Sequence, residues 1–182
     1  DEVCRIDSRF LEPACGNGNF LTKILEKKLE QVDNKYGKSL FDKQQYSILC
    51  VMSLYGIEIL NDNINECRSN LLEILAAFLN VESNSIIYRA ANTVLKKNLI
   101  QGDALKMKAI NASQIVFAEW GYLGKGKYQR RDFRLDTLTL SSTFNAADSL
   151  FSSLGNHEIF KPSSIYKPIT LTDLAEEKFT EE

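Results

Sequence analysis

Residues 10–21 read Phe10-Leu11-Glu12-Pro13-Ala14-Cys15-Gly16-Asn17-Gly18-Asn19-Phe20-Leu21, and no other segment constrains the fold as tightly. Arg9 to Glu12 has the character of a short strand. After the glycines, Phe20, Leu21, Ile24, Leu25, Leu29 and Val32 recur at the spacing of one helix face, and Gly37 ends that helix. The order is therefore strand, glycine turn, helix. Gly16 and Gly18 let the backbone pass close to a ligand without side-chain obstruction. The helix starting near Asn19 brings free N–H groups to the same place. Glu12, at the carboxyl end of the strand, can accept from a ligand ammonium.

The pattern that follows alternates. A second helix is expected over Phe41 to Met52, and a buried strand over Ser53-Leu54-Tyr55-Gly56-Ile57-Glu58-Ile59. Asn61 or Asp62 can cap a third helix whose apolar face is Ile64, Cys67, Leu71, Ile74, Leu75 and Phe78. Ile87, Ala90, Ala91, Val94 and Leu95 mark a fourth helix. Strands over Asn98 to Asp103 and Gln114 to Glu119 come next. Alternating strands and helices imply an α/β fold with a parallel sheet and right-handed crossovers. Beyond Trp120 the pattern weakens. Arg130 to Leu140 reads as a strand and Ala146 to Leu154 as a short helix. Lys161 to Pro168 reads as a linker, and Thr170 with Asp173 as a capped final helical turn.

The 182 residues suit one domain of ordinary size. With 44% hydrophobic and 25% charged residues the composition is globular, not disordered. No apolar run reaches the roughly 20 residues of a membrane span, and no signal peptide opens the chain. It begins on Asp1 without a Met, so a longer natural N-terminus is expected. The net charge of −2 leaves room for a local basic patch but not for a chain-wide one. Cys4, Cys15, Cys50 and Cys67 form no C-x-x-C pair and His157 is the single histidine, so no metal site is expected. All four thiols are read as reduced, in a cytoplasmic protein.

The segment Glu12-Pro13-Ala14-Cys15-Gly16-Asn17-Gly18-Asn19-Phe20 resembles the cofactor motif of class I S-adenosylmethionine-dependent DNA methyltransferases of the N6-adenine type, the methylases of restriction-modification systems. That family reads Asp/Glu-Pro-Ala-Cys-Gly-x-Gly-x-Phe there. A dinucleotide-binding turn is the competitor, but its third glycine would fall at Leu21. The resemblance covers about residues 7 to 120. It implies a three-layer Rossmann-like α/β fold with a mostly parallel sheet, incomplete beside the usual seven strands. Residues 1–160 would form the cofactor domain and 161–182 a linker and tail. It implies S-adenosyl-L-methionine held by Glu12, Pro13, Ala14, Cys15, Gly16, Gly18 and Phe20. Glu58 would take the ribose hydroxyls, with Ile59 on the adenine ring. Asp103 would accept from the adenine amino group, with Ala104 or Leu105 lining the ring. The activity implied is methyl transfer to adenine N6 in DNA.

The chain departs from the family at the acceptor site. The tetrapeptide Asp/Asn/Ser-Pro-Pro-Tyr/Phe should follow the strand at Ile115, but Ala118-Glu119-Trp120-Gly121 stands there, and Pro13, Pro162 and Pro168 are the three prolines. Glu119 accepting an amine and Trp120 stacking on a flipped base would be a substitute catalytic pair. One basic stretch remains: Lys125, Lys127, Arg130 and Arg131, interleaved with Tyr122, Tyr128 and Phe133. Such a loop can track a phosphate backbone and stack bases. The favoured reading is a truncated or divergent DNA methyltransferase with DNA as substrate and a restriction-system subunit as partner. One rival is a non-catalytic cofactor-binding module or subunit. Another is a methyltransferase for RNA or protein.

Overall fold

A computed structural model describes residues 2–138 and 161–182. Three short strands run parallel: β1 (Phe10–Glu12), β2 (Leu54–Glu58) and β3 (Leu99–Asp103), with β2 in the centre. Glu12 lies opposite Gly56, and Glu58 opposite Gln101. Helices α1 (Asn19–Tyr36) and α2 (Leu40–Met52) connect β1 to β2, and α3 (Asn61–Leu79) and α4 (Ile86–Asn98) connect β2 to β3. The mixed α/β architecture with parallel strands is the one the alternating pattern implies.

Each helix is built from its apolar stripe. Leu21, Ile24, Leu25, Leu29 and Val32 of α1 are buried, as are Ile64, Cys67, Leu71 and Leu75 of α3 and Ala90, Ala91, Val94 and Leu95 of α4. They share one core with Leu54 and Leu99. Phe20, expected on the same stripe, is instead exposed at the mouth of the glycine turn. Ser39 and Ser85 cap α2 and α4 through their hydroxyls. The expected cap of α3 by Asn61 or Asp62 is absent. Leu60 holds that position without a side-chain cap, and Glu58 Oε1 accepts its N–H at 2.9 Å.

Beyond Asp103 the expected parallel continuation gives way to antiparallel pairing. A two-residue strand, β4 (Lys108–Ala109), turns back on β3. Then β5 (Val116–Gly124) forms a hairpin with β6 (Lys127–Arg134), and β7 (Ser164–Ile165) adds to its far edge. A parallel return to the sheet needs a crossover of about a dozen residues or more, usually helical. Residues 104–115 are instead turns and β4. Tyr55 and Ile57, on the sheet face away from Leu54, form a smaller core with Ile115, Phe117 and Leu135. Among the described residues that face carries the hairpin where a three-layer fold would carry helices. The strand expected over Arg130 to Leu140 ends at Arg134, and residues 135–138 are helical. The expected helix over Ala146 to Leu154, and His157, lie outside the described residues.

The stretch read as linker and tail is packed. Ile169 pairs through its backbone with Tyr128, and α5 (Leu171–Ala175), capped reciprocally by Thr170 and Asp173, buries Leu174 against α4. Arg130 is buried in a two-bond pair with Asp132, at 2.7 and 2.6 Å, and lies over the rings of Tyr166 and Phe179 at 4.3 and 4.7 Å. At the other end Lys28, fully buried, donates to the carbonyls of Arg5, Ile6 and Ser8. Its three protons meet three acceptors, while burial pushes its pKa down to about 8.

Asn98 joins the sheet to the hairpin. Its amide nitrogen donates to the carbonyls of Met52 and Leu54, both at 3.1 Å, and its oxygen accepts from Trp120 Nε1 at 2.9 Å. All three bonds are buried. Asn98→Leu should therefore cost about 3 kcal/mol or more in urea unfolding, because two carbonyls and an indole N–H lose their partners at once. An unchanged unfolding midpoint would mean that Asn98 does not tie these elements together.

Candidate functional site

Because β1, β2 and β3 are adjacent and parallel, their last residues, Glu12, Glu58 and Asp103, stand along one rim. The glycine turn folds back over the middle of that rim. Cys15 N–H donates to Ile57 O at 3.0 Å, and Gly16 N–H to Glu58 Oε2 at 3.0 Å. Glu58 Oε1 takes the Leu60 N–H. One carboxylate thus fixes both the turn after β1 and the start of α3. Each of its oxygens keeps a second lone pair for a ligand hydroxyl. Glu12 accepts more weakly from Ala14 N–H, at 3.3 Å. Pro13 and Ala14 are exposed beside it.

The two glycines of the turn differ. Gly16 has φ +53°, and a methyl added there would meet nothing within 4 Å, so its backbone faces open space. Gly18, at φ +91°, precedes α1. A methyl added there would lie 2.6 Å from Cys67 Sγ. Gly18 is therefore fixed by the close approach of α3, and not by room for a ligand as the sequence suggested. Gly56 does the same from below: a methyl there would lie 2.8 Å from Cys15 Sγ and 2.9 Å from Leu99 Cδ2. Gly56 and Cys67 support the turn although neither is in the motif. A glycine inside an apolar strand was the available signal for the first.

Asp103 is half committed. Its Oδ1 accepts Lys106 N–H at 3.1 Å, and Lys106 Nζ lies 3.2 Å from Oδ2. These bonds hold its carboxyl below the usual range. Ala104 follows it at the rim. Gln101 donates to Ile59 O at 3.1 Å and so braces the segment leaving β2. Large apolar side chains stand exposed on the segments leaving the strands: Phe20, Ile59, Leu60 and Leu105. A rim of carboxylates, open space beside Gly16 and exposed apolar side chains suits a polar ligand with a flat apolar body.

The pair expected to do chemistry is not at this rim. Trp120 is buried, with its indole N–H on Asn98. Alternation along β5 turns Glu119 to the other side, where its carboxylate is shared by Arg9, at 2.5 Å, and Arg131. These three, with Tyr55, Phe117 and Phe133, line a cavity of about 530 Å³ on the hairpin face. Glu119 and Trp120 thus point to opposite sides and cannot clamp one base between them. The basic stretch divides as well. Lys125, Lys127 and Arg131 are exposed, whereas Arg130 and Tyr128 are buried in the fold.

Among the described residues no group of three or more His, Cys, Asp or Glu side chains is placed to hold a metal ion, and no helix is long and apolar enough to cross a membrane. No protein-family model, curated protein or solved structure matches this chain.

The two glycines can be separated by stability measurements. Gly18→Ala should destabilise by about 1–3 kcal/mol through overpacking. Adding Cys67→Ala should recover part of that loss, a coupling of about 0.5 kcal/mol or more. Gly16→Ala should cost about 1–2 kcal/mol through its positive φ alone, with no coupling to Cys67→Ala. Equal coupling for both glycines would contradict the packing described.

Proposed function

We propose that this chain is the S-adenosyl-L-methionine-binding domain of a DNA methyltransferase of the adenine-N6 restriction-modification type. The observation that carries the proposal is the glycine turn held over the end of β2 by Glu58, with the backbone of Gly16 open to solvent. In this reading the cofactor lies across the rim. The ribose hydroxyls take the free lone pairs of Glu58, and Ile59 and Ala104 flank the adenine. Asp103 accepts from the adenine amino group, and Glu12 accepts from the methionine ammonium. Pro13, Ala14, Cys15 and Phe20 shape the turn around the methionine end. Methyl transfer itself requires an acceptor nitrogen held in line near the sulfonium, and the protein's part is position and desolvation. DNA would approach along the exposed Lys125, Lys127 and Arg131.

A second reading, a cofactor-binding module or subunit that transfers no methyl by itself, is favoured by the places of Glu119 and Trp120. One is neutralised by two arginines and the other is sealed in the core. Neither presents a hydrogen-bond acceptor and a stacking face to the same base.

Calorimetric titration with S-adenosylhomocysteine, the demethylated product, tests the cofactor. Binding in the micromolar range is expected. Glu58→Gln should weaken it about tenfold or more, since a charged acceptor of two hydroxyls becomes a neutral one. Absence of binding at millimolar ligand by the folded wild type would refute the proposal. Incubation with tritiated cofactor and mixed-sequence DNA separates the two readings. Incorporation by the wild-type chain supports transfer by this chain, and cofactor binding without incorporation supports the module.

A further inference from the structure

The hairpin does not fill the sheet face that it covers. On the sheet, Leu11 and Tyr55 are paired neighbours of β1 and β2. On the hairpin, Phe117 pairs with Phe133 and Glu119 with Arg131, so alternation puts all four on one face. These six, with Arg9 and Leu138, line the cavity of about 530 Å³. Small-molecule sites have volumes of roughly 300–1,000 Å³. Ile57, Ile115 and Leu135 pack with Tyr55 and Phe117 in the smaller core. Leu11 nevertheless keeps 46% of its surface exposed.

The lining divides by chemistry. Tyr55 and Phe117 meet edge to face, with centroids 5.4 Å apart and planes at 78°. The Tyr55 hydroxyl donates to Ala118 O at 2.9 Å, so this residue offers the cavity its ring. With Leu11, Phe133 and Leu138 these rings form an apolar wall. The charged lining is Arg9, Glu119 and Arg131, and both guanidinium groups pair with the one carboxylate. Glu119 is the deeper group, its side chain 18% exposed against 53% for Arg9 and 48% for Arg131. Two guanidinium groups carry more N–H donors than one carboxylate can accept. The surplus therefore stands at the outer end, oriented by a counter-charge beneath it. The Arg131 guanidinium also lies over the Phe133 ring, 5.8 Å from its centroid.

We propose that this cavity is a binding site for a small aromatic carboxylate, whose ring lies among Tyr55, Phe117 and Phe133 and whose carboxylate is taken by Arg9 and Arg131. The proposal goes beyond the reading of the rim and stands without it.

Each part of the ligand answers a feature of the lining. Aromatic walls favour an aromatic guest through edge-to-face and offset contacts. The planar guanidinium fork matches a carboxylate, which accepts two parallel N–H bonds. Charge sets the kind of anion. Two arginines and one glutamate leave a single positive charge, which a carboxylate neutralises. A phosphate monoester, at about −1.5 to −2, would add excess negative charge beside Glu119.

Titrate the full chain with 2-naphthoate by calorimetry, and map the site by amide NMR of the labelled protein. The expected result is saturable binding with the largest shifts at Phe117, Glu119, Arg131 and Phe133, and little change at Gly16 and Ile59. The neutral 2-naphthamide and the saturated decahydro-2-naphthoate should each bind at least tenfold more weakly, one for want of the charge and the other for want of the flat ring. Arg9→Gln and Arg131→Gln should each weaken 2-naphthoate about tenfold or more, because a charged hydrogen bond to the carboxylate is lost. Lys38→Gln removes the same charge from an exposed position outside the cavity and should leave the affinity unchanged. The ligand series on the wild type keeps the test decisive if an arginine variant fails to fold. No saturable binding at millimolar 2-naphthoate, or shifts concentrated at the rim, would overturn the site. Equal affinity for 2-naphthamide would overturn the part given to the arginines. Tighter binding of 2-naphthyl phosphate than of 2-naphthoate would overturn the choice of a carboxylate.

Discussion

Glu58 stands at the end of the central strand with each carboxylate oxygen taking one main-chain N–H, from Gly16 on one side and Leu60 on the other. Hydrogen bonds to a charged acceptor contribute about 1.5–3 kcal/mol each. Here they do more than stabilise, because they join two segments that enter the rim from different strands. Removing that carboxylate would free the glycine turn and the start of α3 together. The turn can lie so close to β2 only because residue 56 is a glycine, with Cys15 Sγ filling the space above it. The rim is thus held in place without a ligand, which in the proposed reading lowers the ordering cost of binding.

The hairpin answers a different constraint. The residues between β3 and β5 form turns and a two-residue strand, not a crossover helix, so β5 runs antiparallel to β6 and lies over the sheet face. Strand alternation then fixes the fates of neighbouring residues. Phe117 and Glu119 face the arginine-lined cavity, while Ala118 and Trp120 enter the large core. Asn98, the last residue of α4, locks this arrangement from the sheet side. The same contact that makes Trp120 a structural residue removes it from any acceptor site.

Much of the first hundred residues was legible because period and punctuation agree there. Apolar stripes at helical spacing, the glycine turn and the run Tyr55 to Glu58 all point to one arrangement. What escaped depended on partners distant in sequence. The role of Gly18 could not be read without knowing that Cys67 packs on it. The missing side-chain cap of α3 is explained by Glu58, two residues upstream of Leu60. Arg130 looked like a surface cation until Asp132, Tyr166 and Phe179 were seen around it. Strand direction beyond Asp103 was misread from alternation alone, although the lack of a helical period between residues 104 and 115 was visible.

The central claim is that the rim formed by Glu12, Gly16, Glu58 and Asp103 receives an adenosyl ligand. Backbone amide NMR of the labelled chain, titrated with S-adenosylhomocysteine, tests it most directly. The account predicts the largest shifts at Gly16, Ile59, Leu60 and Ala104, with the amides of Phe117, Glu119 and Phe133 little changed. Shifts concentrated at Phe117, Glu119 and Phe133 would place the ligand in the hairpin cavity and contradict it.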